Sequence, residues 1–193
     1  MTRELDSAVR RLVTALWVVC AVGALYVYFF HFVLFEKYLA HIVAVSPLLA
    51  YGTFLVLGSL RGFTLIPSSA LLFVGLLFFP PLLLFCVLLA GILISSVSVY
   101  YFSEYMRLDT YLESRYDKQI KAVRSLLEAN EMPIIIGWSF FPLLPTDIIC
   151  YVCGTLRVNV YKFILGVCIG EGIISGLYIY FGKLLLPQLH TLL

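Results

Sequence analysis

The chain has 193 residues, of which 62% are apolar and 12% charged, with a formal net charge of +2 and a mean hydropathy of +1.02. A soluble domain is about 45–50% apolar and about 25% charged, and a globule of this length still exposes about 30% of its unfolded surface. The apolar excess cannot be hidden, so a soluble enzyme, a disordered segment and a nucleic-acid binder are excluded together. The solvent is lipid.

Charge is confined to a few places. Eleven Asp, Glu, Lys and Arg residues fall between Glu104 and Glu131, and none occurs over Leu12–Phe35, Tyr38–Leu60 or Gly62–Ser103. The start, Met1–Arg11, is mixed in charge and runs into an apolar stretch without a small-residue cleavage site, which reads as a retained membrane helix. Five cysteines, an odd count in apolar surroundings, do not suggest a disulfide framework.

A helix needs about 20 apolar residues to cross a hydrocarbon core of ~30 Å. Leu12–Leu34 meets this, with Arg10 and Arg11 before it and Glu36 and Lys37 after it. Trp17, Tyr26 and Tyr28 suit interfaces, as does His31 near the far end. Glu36–Ser46 then reads as a loop.

Pro47–Leu60 and Ser68–Phe79 are each too short to span, and Arg61–Pro67 between them contains Gly and Pro. This pattern reads as a re-entrant hairpin, whose freed backbone must be satisfied inside a bundle or beside a cavity. Pro80-Pro81 starts a full span over Leu82–Phe102. Glu104–Glu131, with a thin stripe of Leu108, Leu112, Ile120, Val123, Leu126 and Leu127, reads as an amphipathic surface helix.

Met132–Gly154 repeats the broken pattern around Pro142-Leu143-Leu144-Pro145-Thr146-Asp147 and is a second hairpin. Val160–Leu186 is the last span, and its Gly166, Gly170, Gly172 and Gly176 allow close helix contact. The expected fold is therefore an all-α integral membrane protein: an N-terminal helix and loop (1–46), then a domain (47–193) with two units of hairpin plus span. With the hairpins counted as non-crossing, the basic N-terminus and the basic 104–131 segment share one side, as the positive-inside rule asks. The two units then run in opposite directions, an inverted-repeat plan common among transporters.

The residues of both hairpins are similar to a known family. Phe63-Thr64-Leu65-Ile66-Pro67-Ser68-Ser69 with Gly75-Leu76-Leu77-Phe78-Phe79-Pro80 resembles the first block of the DedA/VTT superfamily. Phe141-Pro142-Leu143-Leu144-Pro145-Thr146-Asp147, followed by Gly154-Thr155-Leu156-Arg157-Val158 and Phe163-Ile164-Leu165-Gly166, resembles its second. The similarity covers roughly Tyr51–Gly182. Three departures stand out: Ser68 takes the place of a Gly, Ser139 that of an Arg, and Glu171-Gly172 replaces a stretch that often holds Pro. The resemblance implies lipid handling, either phospholipid scrambling or flipping of a lipid carrier, with proton coupling in some members.

Ionisable residues inside a membrane cost about 3 kcal/mol each on insertion scales and default to functional hypotheses. Arg61 and Asp147 stand at the two hairpin tips, where they form an ion pair if the tips meet. That pair is either a structural latch or a substrate site. Glu171, between two glycines, suits a proton-linked step or snorkels to an interface. Arg157 anchors at the inner interface or contacts lipid phosphate. The serines at the breaks line a headgroup path or cap the broken helices.

The candidate substrate- or ion-binding set is Arg61, Pro67, Ser68, Ser139, Pro142, Pro145, Thr146, Asp147, Arg157 and Glu171. Cys150-x-x-Cys153 has a metal or redox spacing but no companion pair, and reads as apolar filler. No catalytic set, metal site or cofactor is expected. The expected partners are membrane lipids, with protons as a coupling ion and a homo-oligomer contact through Gly166 and Gly170. The reading is a lipid scramblase or flippase in a prokaryotic cytoplasmic membrane, with the N-terminus and 104–131 inside. The alternatives are a proton- or ion-coupled transporter of a small solute and a non-transporting scaffold.

Overall fold

A computed structural model of the chain describes the backbone of residues 2–30, 32–64, 66–106, 124–127, 129–141 and 144–190, and the surroundings of their side chains except at 2–11, 25, 27–29, 32–36, and 185–190. Every regular element among the described residues is helical: α1 (Thr2–Phe30), α2 (Phe32–Val45), α3 (Pro47–Leu60), a 3₁₀ turn (Arg61–Phe63), α4 (Ser68–Phe78), α5 (Pro81–Met106), α6 (129–140), α7 (Thr146–Leu156) and α8 (Val160–His190).

Two described helices are long and apolar enough to cross a membrane, within Pro81–Met106 and Val160–Leu184. In α1 the described apolar stretch is Leu12–Ala24, and the rest of the span expected over Leu12–Leu34 falls largely on side chains outside the described set. Prolines punctuate the rest: Pro47 sits in the first turn of α3, where its missing N–H costs nothing. The break of the first unit falls at Arg61–Pro67, as its Gly and Pro predict.

Two expectations change. The loop expected over Glu36–Ser46 is helix through Val45, because its only charges are the adjacent Glu36 and Lys37 and nothing before Pro47 breaks a helix. The span expected to stop at Phe102 continues to Met106. The amphipathic helix expected over Glu104–Glu131 falls mainly on residues outside the described set.

α5 is the central helix, packed by α3, α7 and α8. Its contact with α3 is set by Gly58 and Gly91: a Cβ on Gly91 would stand 3.2 Å from Gly58 Cα, so the two backbones nearly touch. Its contact with α7 is tighter still, since a Cβ on Gly154 would meet the Tyr100 carbonyl oxygen at 2.2 Å. Phe54, Leu84, Leu88, Ile92, Val99, Phe163 and Val167 fill the core around α5.

The polarity of the molecule is inverted relative to a soluble protein. Leu48, Leu82 and Tyr161 are among many large apolar side chains on the outside, whereas Arg61, Ser95, Ser139, Thr146, Asp147 and Glu171 are buried. An outer surface of that kind is solvated by hydrocarbon, and the buried charges mark the place where function is sought.

Candidate functional site

The site forms where the two helix breaks meet. α3 ends at Leu60 and the chain tightens into one 3₁₀ turn, closed by Thr64 N–H donating to Arg61 O at 2.8 Å. Gly62 N–H donates to Ser95 Oγ of α5 at 2.9 Å, and Trp17 Nε1 of α1 donates to Phe63 O at 2.9 Å. A Cβ on Gly62 would lie 2.3 Å from Ser95 Oγ and 3.0 Å from Asp147 Oδ1. Only glycine lets the turn approach α5 and α7 this closely.

The turn delivers Arg61 to Asp147. Arg61 Nη1 lies 3.3 Å from Asp147 Oδ2, with the side chains 2% and 0% exposed. The same nitrogen donates to Ile66 O at 3.3 Å. Arg61 Nε and Nη2 and Asp147 Oδ1 find no hydrogen-bond partner among the described residues. At low local dielectric the pair is held by strong attraction, yet each ion keeps unmet hydrogen-bonding capacity.

Glu171 of α8 forms the second pole. It is 1% exposed, accepts a hydrogen bond from Ser68 Oγ at 3.3 Å, and is bonded by Thr146 Oγ1. Ser68 and Thr146 are the first residues of α4 and α7, so one carboxylate ties the two half-helices together. Beside it is a cavity of about 50 Å³ whose wall includes Pro67, Ser68, Ser69, Ser139, Pro145, Thr146, Glu171 and Tyr178. One water needs about 10–15 Å³ counted the same way, so the space holds a few waters or one small ion.

Of the ten candidates from sequence, Pro67, Ser68, Ser139, Pro145, Thr146 and Glu171 share this cavity, and Arg61 and Asp147 pair beside it. Pro142 lies outside the described residues. Arg157 stands elsewhere, at the C-terminal end of α7, with its side chain 62% exposed and 3.8 Å from Glu104. Gly166 and Gly170 pack against Ile135, Ile136 and Ser139 of α6 in the same chain. That face is already filled, so an oligomer would have to use another surface. Cys150 and Cys153 are buried free thiols, and no group of metal-ligating side chains occurs among the described residues.

The sequence did not place Gly62, Ser95, Trp17 or Tyr178 at the site: Trp17 read only as an interfacial aromatic and Gly62 only as part of the break. The first three act through contacts 33 to 46 residues away, for which no local pattern exists. Trp17 also stacks near Phe102 and Tyr151, with ring centroids 6.0 and 5.9 Å away.

The comparisons with known proteins bear on the region that holds most of this site. A family model described as the VTT domain matches residues 66–184, more than half of the chain. No curated protein and no solved structure gives a match.

Proposed function

Because the chain belongs to the VTT-domain family, the domain of DedA and SNARE-associated Golgi proteins, we propose that it moves membrane lipid between leaflets at the crevice where its two helix breaks meet. The observation that carries this reading is the cluster of Arg61, Asp147, Glu171, Ser68 and Thr146 buried at the breaks of an otherwise lipid-facing bundle. Charged groups at such a place are expensive and persist where they serve a path. A headgroup follows the polar side chains while its acyl tails stay among the apolar outer faces.

In this reading α3–α4 and α6–α7 are re-entrant hairpins, and each is followed by a span, α5 or α8. The two units run in opposite directions, with the N-terminus and the 104–131 segment on the cytoplasmic side of a prokaryotic inner membrane. The work is transport, without bond chemistry or a cofactor, and lipids are the partners. A cavity of about 50 Å³ is far smaller than a phospholipid headgroup, so lipid passes only when the crevice widens from the state described here.

That same volume favours a second reading, a proton- or ion-coupled transporter of a small solute, with Asp147 and Glu171 as carriers. One assay separates the two. Reconstituted in vesicles with a fluorescent phospholipid and an impermeant quencher, the protein exposes inner-leaflet lipid well above protein-free vesicles if lipid is moved. Background exchange by folded protein across several headgroups removes the lipid reading and leaves the solute reading, which dissipation of a pH gradient then tests.

A further inference from the structure

The first turns of α4 and α7 share an unusual feature. Each follows a proline, Pro67 or Pro145, and neither has a side-chain cap. The leading N–H groups of a helix need an acceptor, and the aligned peptides give that end a partial positive charge. Both ends open on the cavity, where the carboxylate of Glu171 accepts from the Ser68 and Thr146 hydroxyls. The Arg61–Asp147 pair stands close enough for both of its charges to act on the same carboxylate. The wall holds one more polar group in need of a partner: Ser139, 2% exposed, whose Oγ has none among the described residues.

We propose that this cavity is a binding site for a small inorganic anion of halide size, and that the Glu171 carboxylate on its wall is the built-in occupant of its donors. The deprotonated carboxylate on the wall takes up the donors and repels an anion; chloride enters the space beside it once the carboxyl binds a proton. Hydroxyl donors and two uncapped helix starts form a donor-rich wall, which is the chemistry a halide requires. The volume admits such an ion with little water and no headgroup.

Glu171 is the group on which occupancy turns. Arg61 and Asp147, the charged residues that act on it, are paired with each other. Tyr178 on α8 lines the cavity, and α4 and α6 contribute only the serines 68, 69 and 139 to the wall. The inference stands apart from the lipid reading, because chloride binding is measured on detergent-solubilised protein without any lipid gradient.

The test is line broadening of the chloride NMR signal, titrated against gluconate, for wild type and Glu171→Gln, with folding checked by circular dichroism. At neutral pH wild type gives no saturable broadening. Glu171→Gln binds chloride about ten-fold or more tightly, since the two helix ends lose their resident anion. Wild type gains saturable binding as the pH is lowered, and adding Ser139→Ala to Glu171→Gln weakens binding several-fold. Saturable binding to wild type at neutral pH, equal to that of Glu171→Gln, overturns the built-in occupant. No saturable binding by wild type at acid pH overturns the site, and this arm decides even where the variant does not fold.

Discussion

Arg61 and Asp147, 86 positions apart in the chain, meet at 3.3 Å with their side chains almost fully buried. The pair joins the turn after α3 to the first turn of α7, so it fixes the distance between the two helix breaks. Removing one partner leaves an uncompensated buried charge, which costs about 3–5 kcal/mol, whereas replacing both with apolar side chains is often near neutral. Arg61→Ala and Asp147→Leu should each lower the unfolding temperature sharply. Arg61→Met combined with Asp147→Leu should recover most of the loss, and thermal unfolding in detergent reads the coupling directly. Additive losses in the double variant would show that the pair is not formed.

Gly154 and Gly52 give opposite outcomes for the same change. Gly154→Ala drives a methyl into the backbone carbonyl of Tyr100, 2.2 Å from the new Cβ, and into Ser103 Oγ at 2.0 Å. Backbone cannot step aside, so the α5–α7 contact opens at a cost of about 1–3 kcal/mol or more. Gly52 in α3 has nothing within 4 Å, and Gly52→Ala should stabilise by up to about 1 kcal/mol through helix propensity. Chemical denaturation of the two variants side by side checks both signs.

Arg157 occupies a left-handed backbone position, φ 56°. Around it Val158 N–H donates to Cys153 O and Arg157 N–H to Gly154 O, the double bond pattern that normally ends a helix at glycine. A non-glycine residue there carries about 1 kcal/mol of strain. The exposed contact with Glu104 at 3.8 Å offsets little of it. Arg157→Gly is expected to raise stability slightly and to leave transport unchanged. A fall in lipid exchange with stability intact would instead give Arg157 the phosphate-contacting role that its charge allows.

α1 lies before the matched family region, yet Trp17 closes the turn that carries Arg61. Trp17→Phe keeps most of the ring contact with Phe102 and Tyr151 but leaves the Phe63 carbonyl without its donor, a loss of about 1 kcal/mol. Trp17→Ala loses the packing as well and should cost clearly more. With Trp138→Phe as background, Trp17 is the only indole left, and its emission should shift red at the same temperature at which the Arg61 turn comes apart.

Much of this architecture was legible because lipid imposes long apolar runs and proline marks their ends. Pro47, Pro67, Pro81 and Pro145 each stand at the start of a helix, and the Gly and Pro of Arg61–Pro67 and the prolines of Pro142–Asp147 marked two breaks. Arg61 and Asp147 were readable as a pair because charges within apolar runs have few other ways to be satisfied. Glu171 was singled out, but its ties to Ser68 and Thr146, 103 and 25 positions away, follow only from where the packing of α8 on α4 and α5 brings it. The loop expected at Glu36–Ser46 failed because two adjacent charges look like an interface although they do not interrupt a helix. The left-handed turn at Arg157 was invisible because the residue there is not glycine.

On the function proposed, lipid passes between the starts of α4 and α7. Ser68 and Thr146 both reach the same carboxylate, so cysteines at these two positions, with the native cysteines replaced by alanine, can be bridged by a short thiol cross-linker that reductant cleaves. Lipid exchange in proteoliposomes should exceed that of protein-free vesicles before bridging, fall to background when the two helix starts are tied together, and return on cleavage. Exchange that continues undiminished through the bridged form would place the path elsewhere and contradict the account.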